Sequence, residues 1–400
     1  MFKIIKVALL FLFLINLTYN IYSAIIITEM RSRIKSYLTK KTFAIIFNKD
    51  VLIYNKNNFK AIKIRKKDLK FFQKNLSSCR IVKNKTHPFL NRVMIEITNN
   101  CNLKCQHCYV LNRKQKTLSI SFSVFNKIID QMEKLGVWQL DLTGGEIFMH
   151  PEIKKILKRL SNSFILVNLF SNLAFDDERI IEEIIKLKPK LVITSIDGHT
   201  PKIHDNFRGV QGAFKKTIKN IKLLQKANIP IRANVILSRE NINYIDKIVN
   251  LIEKKLKIPY VLGDIQCTSP NIKKIVLSQS EIVKNLFKYR NNIYINRSLQ
   301  RNNNKKIYPP CGVGFDFVFI NSMGEASLCP TLTKFENKQF LAGNIYQKKL
   351  IISGRILRHL ISSALFNVSK LKNAEIQNIA KEAVVQELII KQEIFAGSTP

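Results

Sequence analysis

From residue 92 onward, two apolar patterns take turns along the chain. RVMIEIT (92–98) alternates at the two-residue period of a strand, whereas Phe122, Val124, Phe125, Ile128, Ile129, Met132 and Leu135 recur at helical spacing. The pattern then predicts a strand at WQLDLT (138–143), a basic helix over 151–161, and a strand at FILVNLF (164–170). A helix at ERIIEEIIKL (178–187), a strand at KLVITSI (190–196) and a helix over 212–227 follow. A strand at IPIRANVIL (229–237), a helix over 243–254, a strand at YVLGDI (260–265) and a helix over 279–289 complete the series. Strands alternating with amphipathic helices imply βαβ crossovers and a parallel sheet. The predicted fold class is α/β, a partial (β/α)6 TIM-like barrel, with ligands at the C-terminal ends of its strands.

Flanking segments read differently. TFAIIF (42–47) and VLIYN (51–55) predict two strands around an Asn48-Lys49-Asp50 turn, followed by a helix ending near Leu76, a small N-terminal β-β-α unit. Beyond the barrel, Ile376, Ile379, Ala383 and Leu388 fall on helical spacing in a C-terminal tail. The expected organisation is an apolar segment at 1–30, a basic unit at 31–88, the barrel at 89–295 and a C-terminal extension at 296–400.

Composition narrows the function classes. Apolar residues make up 46% of the 400, enough for a substantial core. The 66 Lys and Arg against 28 Asp and Glu give a formal charge of +38, which attracts anions. The excess is spread evenly and accompanies abundant Ile and Asn, residues that share A/T-rich codons with Lys. No nucleic-acid-binding motif accompanies it, so nucleic acid is not an expected partner.

Residues 7–28 carry no charge and are long enough to span a bilayer. Lys3 and Lys6 precede them, and Arg31, Arg33, Lys35, Lys40 and Lys41 follow. The positive-inside rule then places the catalytic domain in the cytoplasm behind a candidate membrane anchor. Asn16, Thr18, Asn20 and Ser23 dilute the stretch, and a buried N-terminal strand or helix is the competing reading.

The chemistry concentrates just after the first barrel strand. TNNCNLKCQHCYV (98–110) holds three of the seven cysteines, Cys101, Cys105 and Cys108, at C-x3-C-x2-C spacing. Structural zinc wants four ligands, usually two close pairs. A disulfide uses two cysteines, and a core role fits poorly in a loop rich in Asn99, Asn100 and Asn102. A [4Fe–4S] cluster takes cysteine thiolates, normally four. With three, one iron keeps an open position for a small chelating molecule.

CNLKCQHCY followed by LTGGE (142–146) after the second strand resembles the radical S-adenosylmethionine (SAM) superfamily. The resemblance implies a [4Fe–4S] cluster on Cys101, Cys105 and Cys108, with His107 before the third cysteine, and SAM on the open iron. It also implies reductive SAM cleavage to a 5′-deoxyadenosyl radical that abstracts hydrogen from substrate. Gly144, Gly145 and Glu146 would approach the methionine amino group, and Tyr109 would adjoin the cofactor. ITSIDGHTPKIHDNFRGVQGAF (193–214) resembles the peptide-modifying branch. That likeness implies Ser195 and Asp197 near the ribose or methionine end and Arg208 at the carboxylate. LFSNLAF (169–175) aligns Asn172 with the family's third-strand motif. Leu173 stands where the family has glycine, which argues against left-handed backbone there. Ile147 stands where many relatives have proline.

CGVGFDFVFINSMGEASLCP (311–330) and FLAGNIYQKKL (340–350) resemble the start of a SPASM or twitch extension, which binds auxiliary clusters. No cysteine follows Cys329, so the second site, Cys267 with Cys311 and Cys329, is incomplete. The implied partners are a peptide or protein substrate and a low-potential electron donor such as a flavodoxin or ferredoxin. The alternatives are a radical enzyme acting on a small metabolite and an inactive iron–sulfur relative.

Overall fold

A computed structural model describes residues 42–47, 50–55, 61–66, 80–83, 90–108, 117–265, 272, 274–286, 289, 317–327, 330 and 341–346. The apolar segment 7–28, Tyr109, Cys267, Cys311, Cys329 and the predicted tail helix all lie outside these residues. Among the described residues no helix is long and apolar enough to cross a membrane. The chain divides into two compact units, residues 1–84 and 85–400.

In the first unit, β1 (Thr42–Phe47) pairs antiparallel with β2 (Asp50–Asn55), as the turn signal predicts. A third strand, β3 (Ala61–Arg65), which the sequence pattern did not predict, is antiparallel to β2; the expected helix ending near Leu76 lies outside the described residues. Ala61-Ile62-Lys63-Ile64-Arg65 has the two-residue period of a strand, and its lysine and arginine obscured it. β4 (Arg80–Lys83) joins the other side, parallel to β1, giving the order β3-β2-β1-β4. The described part of this unit is a four-stranded sheet, in which Ala44, Val51, Ile53 and Tyr54 are buried.

The second unit is built on β5 (Arg92–Glu96), β6 (Gln139–Thr143), β7 (Leu166–Phe170), β8 (Leu191–Ser195), β9 (Ile231–Leu237) and β10 (Tyr260–Asp264). These six are parallel neighbours in chain order, the arrangement that successive βαβ crossovers produce. The intervening helices are α1 (Phe122–Leu135), α2 (Ile153–Ser161), α3 (Glu178–Leu187), α4 (Pro201–Arg208), α5 (Ala213–Lys226) and α6 (Ile245–Asn250); α7 (Gln279–Leu286) follows β10. A π-helical turn, Leu251–Leu256, continues α6. Capping signals agree with these bounds. Ser121 accepts from Val124 N–H at the start of α1, and Gly136 ends it at φ 77°.

Helix α4 is absent from the predicted pattern. PKIHDNFR has no long apolar stripe, and its ends are marked by Pro201 at the first turn and left-handed Gly209. The extension adds three strands to the same sheet. β11 (Phe317–Ile320) lies parallel to β5, and β12 (Glu325–Ser327) and β13 (Leu341–Asn344) follow antiparallel. The described sheet runs β10-β9-β8-β7-β6-β5-β11-β12-β13 and is not closed.

Each barrel strand sorts its side chains by face. Val93, Ile95, Leu140, Leu142, Leu169, Val192, Ala233 and Val235 alternate along their strands and are wholly buried. The opposite positions are more polar: Arg92, Glu96, Asp141, Asn168, Ser195, Arg232 and Asn234. Asn168 donates to Asp141 at 2.7 Å and Arg92 pairs with Asp141 at 3.5 Å, which places three of them together. Burial pushes the Asp141 carboxyl up, and burial pushes nearby Lys190 down.

Replacing Leu142 by Ala removes a wholly buried side chain from the hydrophobic face. The expected loss is about 2–5 kcal/mol of unfolding free energy by denaturant titration. An unchanged midpoint would contradict the assigned face.

Candidate functional site

The cysteine loop leaves the C-terminal end of β5 and is closed at its base by side-chain and backbone pairing. Thr98 and Ser119 form an isolated antiparallel bridge, Asn99 N–H donates to the Leu118 carbonyl at 3.0 Å, and Leu118 N–H donates to Asn99 Oδ1 at 2.7 Å. Ser119 Oγ donates to Thr98 Oγ1 at 2.8 Å. Within the loop Cys101, Cys105 and Cys108 form no disulfide, and each is half-buried. Leu103 anchors the loop in a small apolar cluster with Ala174 and Ala213, and Cys101 and Cys105 pack against it.

The Gly-Gly-Glu stretch forms the loop's inner wall. Gly145 N–H donates to Thr98 O and Glu146 N–H to Asn100 O, both at 2.8 Å. A Cβ on Gly145 would lie 2.4 Å from the Asn100 carbonyl oxygen, so only glycine permits this approach. The Glu146 carboxylate faces its own neighbours. It accepts from Asn172 N–H at 2.7 Å, Ser171 Oγ at 2.9 Å and Phe148 N–H at 3.3 Å. Burial pushes its pKa up to about 7, and those donors pull it back. Glu146 thus ties the end of β6 to the end of β7.

Asn172 reaches across that junction. Its Nδ2 donates to Asn102 Oδ1 at 2.8 Å and lies 3.9 Å from Cys101 Sγ. Leu173 is left-handed at φ 54°, contrary to what its side chain suggests. Ser171 Oγ accepts its N–H at 3.0 Å, Asn220 Nδ2 donates to its carbonyl at 2.9 Å, and its side chain is wholly buried. These contacts hold a conformation that glycine would adopt freely.

The third wall is α4 and the turn after it. Lys104 N–H donates to Arg208 O at 3.0 Å and Gln106 N–H to Phe207 O at 3.1 Å. Gly209, left-handed at φ 71°, would meet the Lys104 carbonyl 2.3 Å from a Cβ. The His107 ring stacks on Phe207, centroids 5.1 Å apart. Arg208 is buried, forms an ion pair with Asp197, and directs Nη1 at Cys105 Sγ, 3.6 Å away. The rest of the 193–214 stretch supports this arm. Asp205 accepts from Gly212 and Phe214 N–H, both at 2.7 Å, and caps α5. His204 Nδ1 accepts from Asp197 N–H at 3.2 Å, and burial pushes the imidazole down to about 3, so it is neutral.

Gly145, Asn172 and Arg208 therefore all contact the one loop that carries Cys101, Cys105 and Cys108. Ser195 ends β8 opposite Asn234 of β9. Asp197 is fully buried, with Oδ1 accepting from Ile236 N–H at 2.7 Å, and its carboxylate faces protein groups. Sequence reading placed Ser171, His204 and Asp205 inside matched motifs without a role for their side chains, and passed over Asn220 and Ser322. Ser322, in the β11–β12 turn, donates from Oγ to buried Glu96 at 2.8 Å. The HD-x2-RG-x2-G-x-F spacing was the available signal for His204 and Asp205.

Residues 95–252 match the family model of the Radical SAM superfamily. The chain carries a radical SAM domain. Over 147 residues, 36% of this chain and 33% of the relative, it is 34% identical to the antilisterial bacteriocin subtilosin biosynthesis protein AlbA of Bacillus subtilis. Over 170 residues, 41% of this chain and 48% of the relative, it is 31% identical to the AdoMet-dependent heme synthase of Methanosarcina barkeri. The chain thus spans a third to about half of these curated relatives. Among solved structures, Streptococcus suis SuiB bound to S-adenosylmethionine shares its fold, with a TM-score of 0.60 at 16% identity. That likeness covers 78% of this chain and 86% of SuiB.

The radical SAM family implies a [4Fe–4S] cluster and SAM, and the residues of the loop fit both. Among the described residues no three His, Cys, Asp or Glu side chains are gathered for a single metal ion. A four-iron cluster instead takes each thiolate on a separate iron. Donors for sulfur are in place: Leu103 N–H lies 3.4 Å from Cys101 Sγ and Arg208 Nη1 points at Cys105. Burial pushes the Cys101 thiol up to about 12, so a bound metal is what would hold it as thiolate. Arg208 Nε is buried without a hydrogen-bond partner, a donor left over for a carboxylate.

Replacing Leu173 by Gly tests the balance at the site's second wall. Relief of the left-handed conformation returns about 1–2 kcal/mol, and loss of the buried side chain removes about 2–5 kcal/mol. The variant is expected to be less stable by up to about 4 kcal/mol in denaturant titration, the difference of those two ranges. A gain in stability would show that strain dominates there.

Proposed function

We propose that this chain is a radical SAM enzyme that modifies a side chain of a peptide or protein. The observation that carries the reading is the cysteine triplet, held at the C-terminal rim of a parallel sheet within the radical SAM match. When bound, the reduced cluster would supply one electron to the SAM sulfonium, chemistry that would yield methionine and a 5′-deoxyadenosyl radical able to take hydrogen from the substrate. Cys101, Cys105 and Cys108 would hold the cluster. Gly144 and Gly145 would give the cofactor close access to backbone carbonyls, Asn172 and Ser195 would meet its polar groups, and Arg208 Nε its carboxylate. Tyr109 is assigned beside the cofactor. The electron would come from a low-potential flavodoxin or ferredoxin.

Two comparisons support a peptide substrate: the likeness to AlbA, a bacteriocin biosynthesis protein, and the fold shared with SuiB bound to precursor peptide SuiA, TM-score 0.60. The first unit adds a sheet whose edges, β3 and β4, suit pairing with an extended peptide. The likeness to the heme synthase favours a second reading, a small-molecule substrate for the same radical chemistry. Cys267, Cys311 and Cys329 stay candidates for an incomplete auxiliary site, and residues 7–28 a candidate membrane anchor with a buried N-terminal strand or helix as the competing reading.

The test is anaerobic reconstitution followed by dithionite and SAM. Formation of 5′-deoxyadenosine, read by chromatography, is expected. None from protein with a full, reducible cluster would refute the catalytic reading. Deuterium transfer to 5′-deoxyadenosine from a labelled peptide encoded beside the enzyme supports the peptide reading. Transfer only from a labelled small metabolite overturns it.

A further inference from the structure

Arg208 occupies a position that binding a cofactor carboxylate does not fully explain. Its guanidinium lies between the Asp197 carboxylate and the Cys105 sulfur, with Nη2 on the first and Nη1 3.6 Å from the second. Arg208 and Asp197 side chains are 8% and 0% exposed, so solvent screens neither charge. The arrangement is held from several directions. Ile236 N–H fixes Asp197 Oδ1 at 2.7 Å, and Asn241 Nδ2 fixes the Asp197 carbonyl at 3.1 Å. His204 Nδ1 takes the Asp197 N–H, and Gly198 leaves no room for a side chain against the His204 backbone, 2.4 Å from a Cβ. The Arg208 carbonyl is itself tied to Lys104 N–H at 3.0 Å, inside the cysteine loop. The Asp197 carboxylate cannot swing away without losing the Ile236 N–H, and the Arg208 backbone is fixed against the cysteine loop.

We propose that Asp197 is a positioning residue that seats the Arg208 charge against Cys105, and that the pair sets the reduction potential of the cluster held there. The inference rests on the radical SAM reading of the site. One-electron reduction adds negative charge to the cluster, so a nearby cation favours the reduced form and a nearby anion opposes it. Arg208 and Asp197 act with opposite signs. Removing the cation should lower the potential. Removing the anion, with the cation left in place, should raise it.

The experiment is an anaerobic redox titration of reconstituted full-length protein with dithionite, without SAM, following the reduced cluster by electron paramagnetic resonance. Arg208→Gln should shift the reduction equilibrium about tenfold toward the oxidised form, about 59 mV for one electron. Asp197→Asn should shift it the other way. The double variant, with both charges removed, should return close to the wild type, and Arg208→Lys should stay closer to it than Arg208→Gln. If Arg208→Gln loses its iron, the sign is read from Asp197→Asn and the double variant. Shifts of the same sign, or no shift in variants carrying wild-type iron, would overturn the proposal and leave only a packing role. Absence of iron from the wild type would instead strike the radical SAM reading itself.

Discussion

A loop that presents three thiols to a ligand satisfies little of its backbone within itself, and irregular backbone leaves N–H and C=O groups that need partners. Here those partners come from elsewhere in the chain. Gly145 and Glu146 donate to Thr98 and Asn100 carbonyls, and the last carbonyls of α4 accept from Lys104 and Gln106. The C-terminal carbonyls of a helix have no partner within it, so α4 offers acceptors where the loop needs them. Cysteine spacing, Gly-Gly-Glu and the RG turn are three parts of one hydrogen-bonded assembly. This explains the glycines by a steric requirement: at Gly145 and Gly209 a Cβ would fall within 2.4 Å of a loop carbonyl.

The barrel was legible in sequence because each strand carries aliphatic residues against helices of strong amphipathic period. Polar inner positions such as Asp141, Asn168 and Asn234 did not mask that signal, since the two-residue alternation survives them. Elements with weaker apolar patterns were lost. Helix α4 buries His204, Asp205 and Arg208 through hydrogen bonds and an ion pair, features a hydrophobic pattern does not report. Strand β3 was hidden by the basic residues in its short sequence, Lys63 and Arg65, and the pairing of β11 with β5 depends on contacts more than 200 residues apart in sequence, such as Ser322 to Glu96.

The site itself was half legible. The triplet and Gly-Gly-Glu identify the loop and its wall, but their sequence does not say what the side chains face. Glu146 joins strand ends, and Asp197 faces Arg208 and Ile236 N–H. Leu173 shows the same limit: a left-handed residue without glycine depends on Ser171, Asn220 and burial, none of which is local propensity. The fold leaves the reaction open, because one scaffold supports many chemistries and the substrate is read from the site. Relatives as different as a bacteriocin biosynthesis protein and a heme synthase match this same domain.

The central claim is that Cys101, Cys105 and Cys108 together hold one iron–sulfur cluster. Iron content after anaerobic reconstitution tests it most directly, comparing the wild type with a chain in which all three are alanine. The account predicts that the variant, folded by circular dichroism, carries about four fewer irons per chain, the content of one such cluster. Equal iron in the two proteins would contradict it.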